Sequence, residues 1–376
     1  MVVFLVSAAY QNERKIRLYN THTHPAQPWR LAKDIHARNL RWTVTDIAMS
    51  SDQRFLLYSS ICPVVHMVDV RSSDSTSSVA NVTDIHEALN FSETSETVGI
   101  WSLQWSADDK EIIAGTGDAS LYIYDVTTGR TVVKVEGHGD DVNAVAYAGK
   151  AFEGSENVII TGSDDREIKV WDRRTLGQRR GKAVGVFLGH TEGIAHLDAK
   201  GDGRYLISNS KDQTIKLWDL RRMLTQREAD AIKRDCGREI PSFHWDYRWM
   251  DYPARGRVVT HPRDVSIATY RGHSVLHTLC RAYWSPEHTT GQRYIYAASA
   301  DGAVVIYDVI SCQRIARLES SELSSEIIRD CSWHPFEPLI ATASFDGSVI
   351  TWEPDDLLLD ELPELISEPS SPARLV

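Results

Sequence analysis

Three side chains invite a catalytic reading. His138, Ser163 and Asp165 are the residue types of a hydrolase triad, in which an imidazole activates a hydroxyl and a carboxylate orients the imidazole. The combination returns in His190, Ser210 and Asp212, and again in His273, Ser299 and Asp301. Each Asp stands six residues before an aromatic: Trp171, Trp218 or Tyr307. An active site occurs once, whereas these sets recur at fixed spacing, so their role reads as structural. His22, His24 and nearby His36 are the closest approach to a metal cluster, but an H-x-H without carboxylate or Cys partners matches no known site. Neither a P-loop nor a dinucleotide glycine fingerprint is present. No catalytic residue, metal or cofactor is expected.

The elements that carry these residues repeat. Strand-like segments end in an apolar or aromatic residue followed by an acid or amide, at Asn20, Asp69, Asp125, Asp172, Asp219, Asp308 and Glu353. The successive spacings are 49, 56, 47, 47, 89 and 45 residues. Within a unit, apolar residues alternate with period two, and turn pairs such as Asp164-Asp165 and Asp301-Gly302 separate the strands. A period of about 45 residues with several short strands per unit is the mark of a β-propeller. The expected fold is an all-β, seven-bladed propeller over residues 1–353. Its first and last blades are incomplete, because the chain opens at a second strand and shows no outer strand after Glu353.

The units resemble WD repeats. Gly137-His138, Gly189-His190 and Gly272-His273 precede the Ser-x-Asp elements and the closing Trp-Asp or Tyr-Asp pairs. The resemblance implies a buried hydrogen-bonded tetrad in each such blade: His138, Ser163, Asp165 and Trp171; His190, Ser210, Asp212 and Trp218; His273, Ser299, Asp301 and Tyr307. Blade seven keeps Ser344, Asp346 and Trp352 without a Gly-His, and blade two lacks the set, so both are expected to be less rigid.

The 89-residue interval holds an insertion between blades five and six, about residues 222–265. Its charged first part, Leu224 to Arg238, suits a short solvated helix. Its second part, His244 to Tyr252, is densely aromatic. Trp245, Tyr247, Arg248 and Trp249 either pack the insertion onto the propeller or anchor a partner, a use for which Trp, Tyr and Arg are favoured.

Charge and cysteines bound the setting. Net charge is −11, and seven acids against Arg374 from Glu353 onward carry about half of it. That acidic stretch, 354–376, is expected to be disordered. The mildly acidic body offers no dense basic face for nucleic acid. Cys62, Cys236, Cys280, Cys312 and Cys331 are odd in number and never in C-x-x-C spacing, as in reduced intracellular proteins of the nucleus or cytoplasm. The apolar start, Met1 to Tyr10, lacks a basic flank and is too short to span a bilayer; it reads as a buried strand, with no membrane partner.

Two blades end in a more particular motif. Trp171-Asp172-Arg173-Arg174 and Trp218-Asp219-Leu220-Arg221 both read W-D-x-R. This resembles the motif of WD-repeat substrate receptors of cullin-4 RING ubiquitin ligases. The likeness extends through Arg41-Trp-Thr-Val-Thr-Asp46, Gly201 to Asp219, Trp245-Asp-Tyr-Arg-Trp249 and Tyr270-Arg-Gly-His-Ser-Val-Leu-His277, about Phe4 to Trp352. It points to the receptor subfamily of WD-repeat protein 23 and its plant counterparts, relative to which the chain looks shortened at its N-terminus. The resemblance implies that Trp171, Asp172, Arg174, Trp218, Asp219 and Arg221 form the adaptor-binding site, with Arg174 and Arg221 meeting the adaptor of the cullin-4 complex. The opposite face or the insertion would hold a target protein. The competing expectation is a general WD-repeat scaffold with no ligase.

Overall fold

A computed structural model describes residues 3–6, 14–21, 29–70, 86–92, 98–149, 154–177, 181–236, 239–241, 243–253, 258–319 and 326–353. His22, His24 and the acidic stretch 354–376 lie outside the described residues. The described strands form seven antiparallel sheets, each a meander in which strands consecutive in the chain pair in space. Sheets two to six have four strands. They open on Ile47–Met49, Ile100–Trp105, Val142–Tyr147, Ile194–Ala199 and Ala282–Trp284. Sheet one has three strands, Val3–Val6, Lys15–Asn20 and Arg30–His36. Sheet seven also has three, Ile328–Trp333, Ile340–Ser344 and Val349–Trp352.

The opening strands of sheets two to seven pack against one another in sequence and form the inner wall of an all-β propeller. Among the described residues sheet one adds no strand to that wall. Its first described strand, Val3–Val6, packs on the second strand of sheet seven, one layer further out. The wall of the propeller therefore has six strands among the described residues, not the seven that the repeat count suggests.

Alternation decides where each side chain goes. In sheet four, Ile159 and Trp171 face the seam with sheet three, while Ile160, Ile168 and Val170 face the seam with sheet five. Both faces of a blade are buried, so inner strands such as Val142–Tyr147 are buried throughout. Apolar clusters fill six seams, from Ile16, Leu18 and Leu56 between sheets one and two to Tyr296, Ile328 and Ile340 between sheets six and seven. Among the described residues no such cluster fills the seam between sheets seven and one.

Polar side chains span that weak junction at the inner wall. Arg281 of sheet six donates to Asp46 at 2.6 Å and to Asp330 at 3.2 Å. Arg329 of sheet seven donates to the carbonyls of Val44 and Thr45 at 3.1 and 2.7 Å. Asp46 also accepts the N–H groups of Ile47 and Leu103. Burial disfavours the Arg281 charge, but Asp46 and Asp330 more than offset it and hold the guanidinium well above its ordinary pKa. Sheets six and seven are thus tied directly to the entry of sheet two.

Candidate interaction surfaces

The WD-like networks form, but with different hydroxyls than the spacing suggests. In sheet five the Trp218 indole N–H donates to Ser208 Oγ at 2.8 Å, and Ser208 lies 2.6 Å from His190 Nε2. His190 Nδ1 is 2.9 Å from Asp212. This geometry is satisfied if Ser208 donates to Nε2 and Nδ1–H donates to the carboxylate. In sheet four Trp171, Thr161, His138 and Asp165 repeat the pattern at 2.8, 2.6 and 2.9 Å. Ser163 and Ser210 are not members. Each instead closes the turn, donating to the carbonyl of Asp140 or of Glu192 and Gly193, and accepting the N–H of Asp165 or Asp212.

Strand register explains the shift. Trp171 pairs with Ile159, and Trp218 with Leu206. An indole leaning one pleat along the strand reaches Thr161 or Ser208; Ser163 and Ser210 lie a further ~7 Å on, two residues at the strand rise. A hydroxyl four residues before the Asp, as in Thr161-Gly-Ser-Asp-Asp165, was the available signal.

The third expected set does not form. His273 meets Tyr307 at 3.0 Å and the Asn209 side chain of the preceding sheet at 2.8 Å. Asp301 turns to Arg317, and Ser299 accepts the N–H of Ser274. A phenol carries its polar atom at the tip, so it reaches the imidazole directly and leaves no place for a bridging hydroxyl. Burial lowers the His273 pKa to about 4, which keeps the ring neutral. In sheet seven Trp352 donates to Thr342, not to Ser344.

The imidazoles of these networks are buried. The side chains of His138 and His190 are 1% exposed. Burial would raise the Asp165 carboxyl. The hydrogen bond and charge of His138, with the N–H groups of Gly139 and Glu167, hold it down at about 2. His138, Asp165 and Glu167 lie close enough to hold an ion together. However, Lys169 and Lys233 already pair with Glu167, so ammonium groups occupy the place of a cation.

The strands then run to the opposite rim and end in an acid. Asp172 accepts the N–H, Nε and Nη2 of Arg174 at 3.0, 2.9 and 2.7 Å. Asp219 grips Arg221 through the same three atoms at 3.0, 3.1 and 2.8 Å. Each Asp closes a tight turn and aims the guanidinium outward, its side chain 68% or 66% exposed. The hydrogen bond from Arg174 lowers the Asp172 pKa. Arg173 points the other way and makes a bidentate pair with Glu111 of sheet three at 2.8 and 2.6 Å. One residue of the Arg pair therefore staples two sheets while the next is presented to solvent. Trp171 and Trp218 are buried in the blades and reach this rim only by fixing the strands that end there.

The insertion leaves this rim after Asp219 and crosses to the other one. Thr225 and Glu228 cap its helix, Gln226–Cys236, reciprocally: Glu228 accepts the N–H and hydroxyl of Thr225 at 2.8 Å, and Thr225 accepts the N–H of Glu228. Leu224 pairs with Val186 through two backbone bonds and covers the edge of sheet four. Ala229 is buried against Val186 and Leu188.

Beyond the helix, the aromatic segment arches over the turns that carry Asp164 and Lys211. The Lys211 ammonium sits 4.1 Å from the centre of the Tyr247 ring and pairs with Asp164 at 2.6 Å. The Tyr247 carbonyl accepts the N–H of His277. Trp245 donates to the Met250 carbonyl and stacks edge-on against Tyr252 at 5.2 Å. Tyr247 therefore packs the segment down, whereas Trp249 stands 77% exposed. The insertion and the face opposite Arg174 and Arg221, separate candidates in the sequence, are one surface.

Asp246 grips Arg248 through the N–H, Nε and Nη2 at 3.0, 2.9 and 2.7 Å, the same pincer as at the other rim, although no blade strand precedes it. The pincer is a local property of D-x-R. The Trp before it contributes blade packing in two cases and loop packing in the third.

Repeated antiparallel sheets, indole–hydroxyl–imidazole–carboxylate networks and two decorated rims define the class: a WD-repeat β-propeller, a non-enzymatic scaffold. The WD domain, G-beta repeat model matches residues 181–219, 264–308 and 313–353, and the Nucleolar protein 10-like N-terminal domain model matches residues 26–197. The LEC14B homolog of Prunus armeniaca is 44% identical over 93% of this chain and 70% of its own length. The LEC14B protein of Lithospermum erythrorhizon is 44% identical over 90% of the chain and 68% of its own. The DDB1- and CUL4-associated factor 11 homolog of Caenorhabditis elegans is 36% identical over 93% of the chain and 59% of its own. The chain belongs to this family of WD-repeat proteins, which holds LEC14B and the DDB1- and CUL4-associated factor 11 homologues.

Proposed function

We propose that the chain is the target-recognition subunit of a cullin-4 RING ubiquitin ligase, acting in the nucleus or cytoplasm. One rim of the propeller would dock on the ligase adaptor. The insertion-bearing rim would hold a target protein for ubiquitin transfer by other subunits. The observation that carries this reading is the pair Arg174 and Arg221. Each is clamped by the Asp two residues before it and exposed on the same rim of consecutive sheets. A clamped guanidinium keeps free N–H donors and has lost side-chain freedom in advance, which suits it to a carboxylate or carbonyl on a partner. The names of the nematode relatives, DDB1- and CUL4-associated factor 11 homolog, support the same partner.

A general scaffold without a ligase is favoured by one observation: the Asp246–Arg248 pincer shows that the geometry also arises away from blade ends. Affinity purification with mass spectrometry separates the two, with target degradation blocked. The wild-type chain should retain cullin-4 and its adaptor, and R174E/R221E should lose both while keeping its circular dichroism spectrum. Partners that include no cullin-4 component would favour the scaffold.

A further inference from the structure

Where the insertion arches over the turns of sheets four and five it leaves a hollow of about 620 Å³, lined by Asp140, Asp164, Glu192, Lys211 and the segment His244 to Met250 except Trp249. Its charges do not balance. Lys211 pairs with Asp164, and Arg248 with Asp246. The exposed Asp140 accepts the N–H of Asp141, and Glu192 faces Arg166 at only 3.7 Å. Asp141 beside them is pushed up to about 6, first by burial and then by the charges of Asp164 and Asp140. Next to the acids stand two large exposed side chains: Trp249, 77% exposed with the Arg248 guanidinium 5.8 Å from its ring centre, and Met250, 49% exposed. Exposed Trp and Met beside a concave site are typical anchors for a partner. The loop also shows that it tolerates a cation on an aromatic face, since Lys211 rests on Tyr247.

We propose that this hollow receives a basic segment of the target protein: a Lys or Arg side chain enters between Asp140 and Glu192, and an adjoining apolar residue lies against Trp249 and Met250. This rests on the receptor reading above and names the chemistry of its target. An acidic peptide would meet like charge at the wall, and so would the phosphates of nucleic acid.

Fluorescence anisotropy with three labelled 12-residue peptides tests it: repeats of Arg-Leu-Ser, of Arg-Ser-Ser and of Glu-Leu-Ser. The Arg-Leu-Ser peptide should bind tightest, with each of the others weaker by about tenfold or more, the loss of one good anchor. D140N/E192Q and W249A should each weaken it by roughly fivefold or more. E287Q/E337Q removes the same charge from exposed sites at the other rim and should leave binding within about twofold, which separates a docking site from attraction to a net acidic protein. Equal binding of the Glu peptide, or wild-type affinity in D140N/E192Q or W249A, overturns the proposal. R174E/R221E should bind the peptides normally. Adaptor binding without peptide selectivity therefore removes only this inference, and peptide selectivity without adaptor binding removes the ligase reading.

Discussion

Arg281 and Asp46 are 235 residues apart in sequence and 2.6 Å apart in space. Their pairing crosses the junction where, among the described residues, sheet one adds no strand to the inner wall. A buried ion pair adds little over an apolar pair of equal shape, but removing one partner strands the other charge. R281M should therefore destabilise the chain by about 3–5 kcal/mol in urea unfolding, measured by Trp fluorescence. D46N should cost less, since its amide still accepts some of the bonds that Asp46 now takes. Equal stability of R281M and wild type would show that the junction closes by other means.

Thr161 and Ser163 make opposite predictions although both are buried hydroxyl residues of one strand. T161V keeps the shape and leaves the His138 imidazole and the Trp171 indole without their shared partner. It should cost about 2–6 kcal/mol, two buried groups at about 1–3 each. S163A loses only turn bonds and should cost about 1 kcal/mol. A reversed order would return the network to Ser163.

What the sequence made readable follows from range. The blades showed because alternation and Trp-Asp spacing are local, and the exposed pair Arg174 and Arg221 showed because D-x-R is a three-residue device. The hydroxyl at Thr161 was misplaced because the sequence shows spacing but not the lean of an indole across a pleat. Asp301 has the spacing of a network member, but Tyr307 reaches His273 without it and Asp301 pairs with Arg317. The route of the insertion to the far rim depends on Leu224 meeting Val186 and Tyr247 meeting Lys211, contacts that no local pattern encodes. The Arg281 clasp is invisible for the same reason, although Arg41-Trp-Thr-Val-Thr-Asp46 is among the segments that carry the family resemblance.

Acid should loosen the blades through Asp165. Its carboxyl is held at about 2 in the folded chain against an ordinary 3.8. A depressed carboxyl contributes stability above its unfolded pKa and loses that contribution as pH falls through the folded value. The contribution is about 2 kcal/mol, and it should fade between about pH 4 and pH 2. D165N should flatten that part of the stability–pH curve. An unchanged curve would assign acid sensitivity to other groups.

The capping pair Thr225–Glu228 should govern the insertion helix alone. T225A should cost about 1 kcal/mol of local stability. Hydrogen exchange should speed up in Gln226–Cys236 while the inner strands keep their protection. Loosening of the whole propeller would mean that the insertion is integral to it.

The proposed docking of the ligase adaptor on Arg174 and Arg221 can be tested by one titration. Purified adaptor is titrated by calorimetry into the wild-type chain, R174E/R221E and R248E, with folding checked by circular dichroism. Charge reversal at the paired rim should weaken binding by about thirtyfold or more, about 2 kcal/mol, the scale of losing paired interfacial charges. R248E reverses the charge of the same kind of pincer on the other rim and should bind as wild type does. Wild-type affinity in a folded R174E/R221E protein would contradict the proposed docking.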